Sequence, residues 1–166
     1  MVNQITVRKA MQDDVVSILQ IYNEGIEDRI ATLEEDLKDS DYMHNWFSER
    51  GERYVVLVAE SNHEVVGFAS LNPYSHRCAY AGVADLSVYV KRDWRSKGVG
   101  STLLTAIESP AKENGFYKIV LFTFPFNQNG QGLYRKLGYQ EVGIFHNQGR
   151  LDGNFVDVMA MEKLLG

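Results

Sequence analysis

The chain has 166 residues, 17 Lys and Arg against 22 Asp and Glu, a formal net charge of -5 and a single cysteine. That length bounds one domain, and the acidic balance excludes nucleic acid as the expected main partner, because duplex binding draws on Lys and Arg to neutralise phosphates. One thiol excludes an internal disulfide and a cysteine-rich zinc site, no apolar run approaches the ~20 residues of a membrane span, and Met1 to Ile5 show no secretory pattern, so a reduced, cytoplasmic protein is expected.

Ile5 and Val7 alternate with polar neighbours, which predicts a short first strand. Asp13 and Asp14 are placed to cap a helix whose apolar face is Val15, Ile18, Leu19 and Tyr22. A second helix is expected from Asp39 to Glu49, with Tyr42, Met43, Trp46 and Phe47 on its apolar side; residues 26–37 between them resist assignment. Tyr54 to Ala59 and Val65 to Leu71, joined by Ser61-Asn62-His63, read as an antiparallel hairpin. An irregular stretch from Asn72 to Gly82 precedes the β-prone run Val83 to Val90. A basic loop from Lys91 to Gly100 then opens into a helix from Ser101 to about Asn114. Gly115 stops that helix, and Pro110 inside it predicts a kink. Lys118 to Phe124 reads as a strand and Gln128 to Leu137 as a helix stopped by Gly138. Tyr139 to Phe145 and Phe155 to Met161 read as strands joined through a turn at Asp152-Gly153. The order β-α-α-β-β-β-α-β-α-β-β predicts a single α/β domain over residues 1–166, a mixed sheet with helices packed on it.

The informative segment is Arg95-Ser96-Lys97-Gly98-Val99-Gly100-Ser101, between a strand and a helix. Glycines let backbone approach a ligand closely, and the first helical turn leaves N–H groups unpaired at a partly positive end. Together these suit a phosphate or pyrophosphate. Lys91, Arg92, Arg95 and Lys97 place four cations in seven residues, a crowding that predicts an anion nearby. The same residues also read as a glycine loop with solvated charges. Neither a Walker loop nor a dinucleotide fingerprint is present.

At these residues the chain resembles the GNAT superfamily of N-acetyltransferases. R-x-x-G-x-G at Arg95 to Gly100 is similar to its acetyl-CoA signature, and Ser87 to Val90 to the preceding strand. Asn127 to Tyr139 is similar to the family's N-x(6)-Y-x-x-x-G-[FY] element. A narrower resemblance joins Arg77-Cys78-Ala79-Tyr80 and Asp85-Leu86-Ser87-Val88-Tyr89-Val90 to the phosphinothricin and methionine-sulfoximine acetyltransferase branch, as do Ile21-Tyr22-Asn23 and Gly153 to Asp157. That branch usually carries Glu where this chain has Asp85, a carboxylate set ~1.5 Å further back.

The resemblance implies a GNAT fold, with a mostly antiparallel central sheet flanked by helices, and acetyl-CoA as cosubstrate without a metal. It implies acetyl transfer to the primary amine of a small amino acid or analogue, by direct attack in a ternary complex. A peptide or protein acceptor, or a non-catalytic acyl-CoA-binding module, are the alternatives. Strand backbone at Leu86, Val88, Tyr89 and Val90 would meet the cofactor arm, with the Val88 N–H on the thioester carbonyl. Arg95, Ser96, Lys97, Gly98, Val99, Gly100 and Ser101 would hold the pyrophosphate, and Asn127 would bond the arm. Asp85 is the expected base and an acceptor-binding group, and Tyr134 the expected acid beside the cofactor thiol. Each has a plain structural reading as well: ion-pair partner, core aromatic, helix cap. Arg77 is expected to pair an acceptor carboxylate, with Tyr74 and Tyr80 at the same mouth and Arg29 a weaker candidate. Cys78 reads as a small buried thiol, and the four histidines give no metal-ligand spacing. Family analogy implies a homodimer.

Overall fold

The computed structural model describes residues 4–166. Strand β1 (Thr6–Lys9) leads through a single 3-10 turn into helix α1 (Val15–Glu27), and α2 (Ser40–Ser48) follows. Then come β2 (Val56–Ser61), β3 (Glu64–Pro73) and β4 (Val83–Val90), helices α3 (Val99–Ala106) and α4 (Glu108–Glu113), and strand β5 (Lys118–Thr123). Helix α5 (Gln128–Lys136) and the long strands β6 (Gln140–Leu151) and β7 (Asn154–Leu164) complete the chain. One seven-stranded sheet runs in the order β1-β2-β3-β4-β5-β7-β6, antiparallel everywhere except between β4 and β5. This is the α/β GNAT architecture expected.

Period-2 alternation divides β4 between two cores. Ala84 and Leu86 face Val99, Leu103 and Ile107 of the α3 side. Phe68 of β3 faces Val15, Ile18, Ile21 and Met43 of α1 and α2, and Tyr89 packs against that cluster. Close packing holds α3 down on the sheet: a Cβ at Gly67 would stand 2.7 Å from Val99 Cγ1.

Several expectations need local correction. Asp14 does not cap α1 with its side chain; its carboxylate accepts from Arg8 at 2.8 and 2.9 Å and from the Met11 N–H at 2.7 Å. A two-pronged charged pair offers more than one helix N–H can. The buried stripe of α1 includes Ile21 and Ile26, while Leu19 and Tyr22 are only partly buried. The helix expected from Ser101 to Asn114 starts earlier, at Val99, and splits at Ile107 into α3 and α4. Pro110 lacks the N–H that would have bonded to the Ala106 carbonyl, which is where the break falls. Strands β6 and β7 run well past the residues predicted for them. Their turn is the expected Asp152-Gly153, both at positive φ (51° and 82°), the twist-matched form of a two-residue hairpin.

The parallel junction decides the site. β4 and β5 pair over only Val83↔Lys118, Ala84↔Ile119 and Asp85↔Val120. Beyond Asp85, β4 stays paired with β3 as far as Val90, while β5 stays paired with β7. The two strands therefore diverge, and the sheet opens.

Candidate active site

The Lys91 N–H donates to Val66 of β3 at 2.8 Å. Backbone groups alternate along an extended strand, so Tyr89, Ser87 and Asp85 also turn their peptide groups to β3. Leu86, Val88 and Val90 turn theirs the other way; the Leu86 N–H still belongs to the last rung with Val120, and beyond it β5 has departed. A cleft of about 530 Å³ lies along this open edge. Val88, Tyr89 and Val90 line it from β4, Leu121, Phe122 and Thr123 from β5, and Asn127, Asn129, Leu133 and Tyr134 from α5 and its approach. Of the strand residues expected at the cofactor, Val88 presents free peptide groups and Val90 a free N–H, the Val90 carbonyl accepting from Arg95 Nε at 3.4 Å. Tyr89 does not: its backbone belongs to β3, and its ring stacks on Phe68 at 5.2 Å and meets Tyr22 edge-on at 5.0 Å.

At one end of the cleft Ser96 and Gly98 adopt left-handed φ of 63° and 89°. That curl brings α3 in with its first turn facing the cleft, without a side-chain cap. The first bond of the helix is Thr102 N–H to Gly98 O, so the N–H groups of Val99, Gly100 and Ser101 have no backbone acceptor. Arg95, Ser96, Gly98, Gly100 and Ser101 line the cleft here. Two expected residues do not. The Val99 side chain is in the core, and the Lys97 ammonium lies over the Trp94 ring, 5.5 Å from its centre.

The cationic crowding of this loop has a protein answer. Arg92 forks onto Asp28 at 2.9 and 3.0 Å, Arg95 reaches the same carboxylate at 2.6 Å, and Lys91 pairs with Glu64. The Arg92 hydrogen bond, with that of Arg95, holds the Asp28 carboxyl below its ordinary range against the opposing effect of burial. The four cations therefore do not by themselves call for a phosphate. Arg95 serves the cleft while anchored to the end of α1.

Asp85 occupies the last rung that β4 and β5 share, at the apex from which the cleft opens. Burial pushes its carboxyl up to about 7, and no cation pairs with it among the described residues. It lines neither this cleft nor the smaller cavity described next. Tyr134 lines the cleft, with its ring edge-on to Tyr139 at 6.1 Å, and burial raises its phenol. A phenol held protonated remains a hydrogen-bond donor. Asn127 caps α5, its Oδ1 accepting from the Gly130 N–H at 3.1 Å, and also lines the cleft.

Across β4 lies a second cavity of about 130 Å³. Trp46, Phe68 and Tyr89 wall it, with Ser70, Asn72 and Ser87 as polar members; Ser87 and Tyr89 also border the cleft. Tyr74 and Tyr80 are exposed and meet each other edge-on at 6.2 Å, and neither they nor Arg77 line either cavity. Arg29 is paired with Asp152 at 3.1 Å. Cys78 is exposed rather than buried, in a one-turn 3-10 helix. Sequence reasoning missed Gly25, Ile30 and Ala31, which line the cleft from the end of α1, and the three β5 residues. No local pattern marks them, because a long-range divergence of strands exposes them. Asn129 and Gly130 lay within the quoted Asn127-to-Tyr139 element and could have been found there.

Comparisons agree with this geometry. Residues 16–139 match the family model described as Acetyltransferase (GNAT) family. An L-methionine sulfoximine/L-methionine sulfone acetyltransferase of Pseudomonas aeruginosa is 31% identical over 159 residues, covering 95% of this chain and 92% of that protein. A phosphinothricin acetyltransferase from Sinorhizobium meliloti, solved in complex with AcCoA, superimposes with a TM-score of 0.92 at 28% identity, over 100% of this chain and 90% of that one. A ribosomal-protein-alanine N-acetyltransferase from Brucella melitensis superimposes with a TM-score of 0.93 at 31% identity, over 96% and 99% of the two chains.

Proposed function

Because the chain belongs to the GNAT family of acetyltransferases and uses acetyl-CoA as cosubstrate, we propose that its acceptor is a small amino acid or analogue of the phosphinothricin or methionine sulfoximine type, acetylated on its primary amine by direct attack in a ternary complex. The observation that carries this is the opening between β4 and β5, with free strand N–H groups along one wall and a half-buried carboxylate at its apex.

The cosubstrate supplies an activated thioester carbonyl. The open Leu86 carbonyl, the Val88 peptide groups and the Val90 N–H bind its amide arm as a neighbouring strand would. The Val88 N–H serves the thioester carbonyl, a donor worth roughly 3 kcal/mol where negative charge develops. The uncapped N–H groups of Val99, Gly100 and Ser101 hold the pyrophosphate. An alkyl amine has a pKa near ~10, so only about 0.1% is free at pH 7, and attack needs a base. Asp85 takes that proton. Its place outside both cavities favours relay through one water over direct contact. Tyr134 returns a proton to the departing sulfur.

The proposal extends to a homodimer in the cytoplasm. Val142, Ile144, Phe145 and Phe155 are exposed on β6 and β7, and β6 is an unpaired sheet edge, the kind of surface that oligomers cover. No helix among the described residues is long and apolar enough to cross a membrane.

Thiol release from acetyl-CoA, followed with L-phosphinothricin, methionine sulfoximine, methionine sulfone, common amino acids, polyamines and alanine-starting peptides, tests the reading. Turnover confined to the first three supports it. Turnover confined to peptides would overturn it in favour of the acceptor named for the Brucella protein.

A further inference from the structure

Arg50, just beyond α2, is a half-buried guanidinium with no carboxylate partner among the described residues, and burial lowers its pKa to about 10. Its Nε donates to the Tyr54 carbonyl at 3.0 Å, and its Nη2 donates to the Leu71 carbonyl at 2.8 Å and to Asn72 Oδ1 at 2.9 Å. Its plane covers the Trp46 ring at 4.3 Å. One side chain thus holds two walls of the small cavity, Trp46 and Asn72.

The hydrogen-bond directions here are forced. A guanidinium only donates, so the Asn72 amide must turn its oxygen to Arg50 and its NH2 inward. That NH2 donates to Ser87 Oγ at 3.2 Å and, more weakly, to the Ser70 carbonyl at 3.4 Å. An amide NH2 cannot accept, so the Ser87 hydroxyl proton must point away from Asn72. No acceptor for it is found among the described residues. Ser87 is also, with Tyr89, one of the two residues shared by the cleft and the small cavity. The chain from Arg50 through Asn72 therefore leaves the Ser87 O–H as a free donor at the meeting point of the two spaces.

We propose that Arg50 and Asn72 are positioning residues that set acceptor specificity. They aim the Ser87 hydroxyl at a hydrogen-bond-accepting oxygen on a short acceptor side chain whose stem lies among Trp46, Phe68 and Tyr89. The stem suits this box because Phe68 and Tyr89 stack at 5.2 Å and Trp46 meets Phe68 edge-on at 6.1 Å, leaving ring surface for methyl and methylene groups. An acceptor lacking the oxygen leaves the Ser87 donor unpaired, which is how polar sites reject such analogues. A sulfone, sulfoximine or phosphinate tip satisfies it and a thioether does not. The assignment of the cavity to the acceptor rests on the small-amine reading above; the forced donor does not.

The test uses fragments and needs no turnover. The chain has two tryptophans, so Trp46 and Trp94 give two indole N–H signals in a nitrogen-15 correlation spectrum, with Trp94→Phe for assignment. Dimethyl sulfone should shift the Trp46 signal and leave Trp94 still, and should bind about fivefold more tightly than dimethyl sulfide, the value of one net hydrogen bond. Ser87→Ala should abolish that preference and Ser87→Thr should keep it. Asn72→Asp is the sharper variant. A carboxylate still accepts from Arg50, so the fold is retained, but it also accepts from Ser87, turning the hydroxyl inward and erasing the preference. Equal binding of the two fragments to the wild type, no shift at Trp46, or a preference that survives Ser87→Ala would each overturn the proposal. An enzyme that prefers the sulfone fragment yet acetylates only peptides would instead sink the acceptor reading alone.

Discussion

Asp85, the proposed base, shows how one side chain takes its titration from its surroundings. Its residue type was visible, but its titration comes from burial at the apex of the cleft, with no cation to offset it. Near neutrality it is divided between acid and carboxylate, so the limb of kcat/KM on the acid side should rise with an apparent pKa near 7. Asp85→Asn should remove that limb and lower kcat by about 10²- to 10⁴-fold, measured across pH 5.5 to 9. Stability carries the opposite sign. A carboxyl raised from 3.8 to about 7 binds its proton more tightly when folded, so stability is fully present below pH ~4 and is lost as pH climbs to about 7. Asp85→Asn should therefore be more stable than the wild type by a margin that widens between pH 5 and pH 8, by roughly 2 kcal/mol in urea melts. A margin that shrinks with pH would contradict the burial account. Tyr134→Phe should lower kcat by about tenfold or more while leaving the acetyl-CoA KM near its original value, because the ring keeps its place beside Tyr139.

The β4–loop–α3 unit was legible in nearly every part, because its signals are local. A β-prone run, a glycine loop and a helix can each be read from a few neighbours. What escaped was the helix start at Val99 and the pairing of the loop's cations with Glu24, Asp28 and Glu64, carboxylates on other elements. Gly98 is the residue on which the unit turns: its φ is 89°, and a Cβ there would meet nothing within 4 Å. Gly98→Ala should thus cost only the conformational penalty, about 1 kcal/mol, with no clash. That strain, applied where the N–H groups must aim, should raise the acetyl-CoA KM several-fold and change the acceptor KM little. Gly67→Ala is the contrasting case. Its Cβ would stand 2.7 Å from Val99 Cγ1 and 3.1 Å from the Tyr89 carbonyl, so it should destabilise the fold by about 1–3 kcal/mol in thermal melts.

For the whole molecule, the exposed strip of Val142, Ile144 and Phe145 on the sheet edge should be covered by a second copy. Light scattering should give a dimer at micromolar concentration, and Phe145→Glu should shift it to monomer; a wild-type monomer would remove the dimer from the proposal. The sequence by itself determined the architecture, the order of elements and the place of the glycine loop, since hydrophobic period, glycine position and turn chemistry act between near neighbours. It also offered Val88, Asp85, Asn127 and Tyr134 as site candidates. Only the tertiary structure decided where β4 and β5 part, that Val99 and Lys97 turn away from the cleft, and that Arg77, Tyr74 and Tyr80 line neither cavity. It alone linked Arg50 to Ser87 through Asn72. Cavities, buried charges and hydrogen-bond directions arise between segments far apart in the chain, and no window of sequence contains both sides of them.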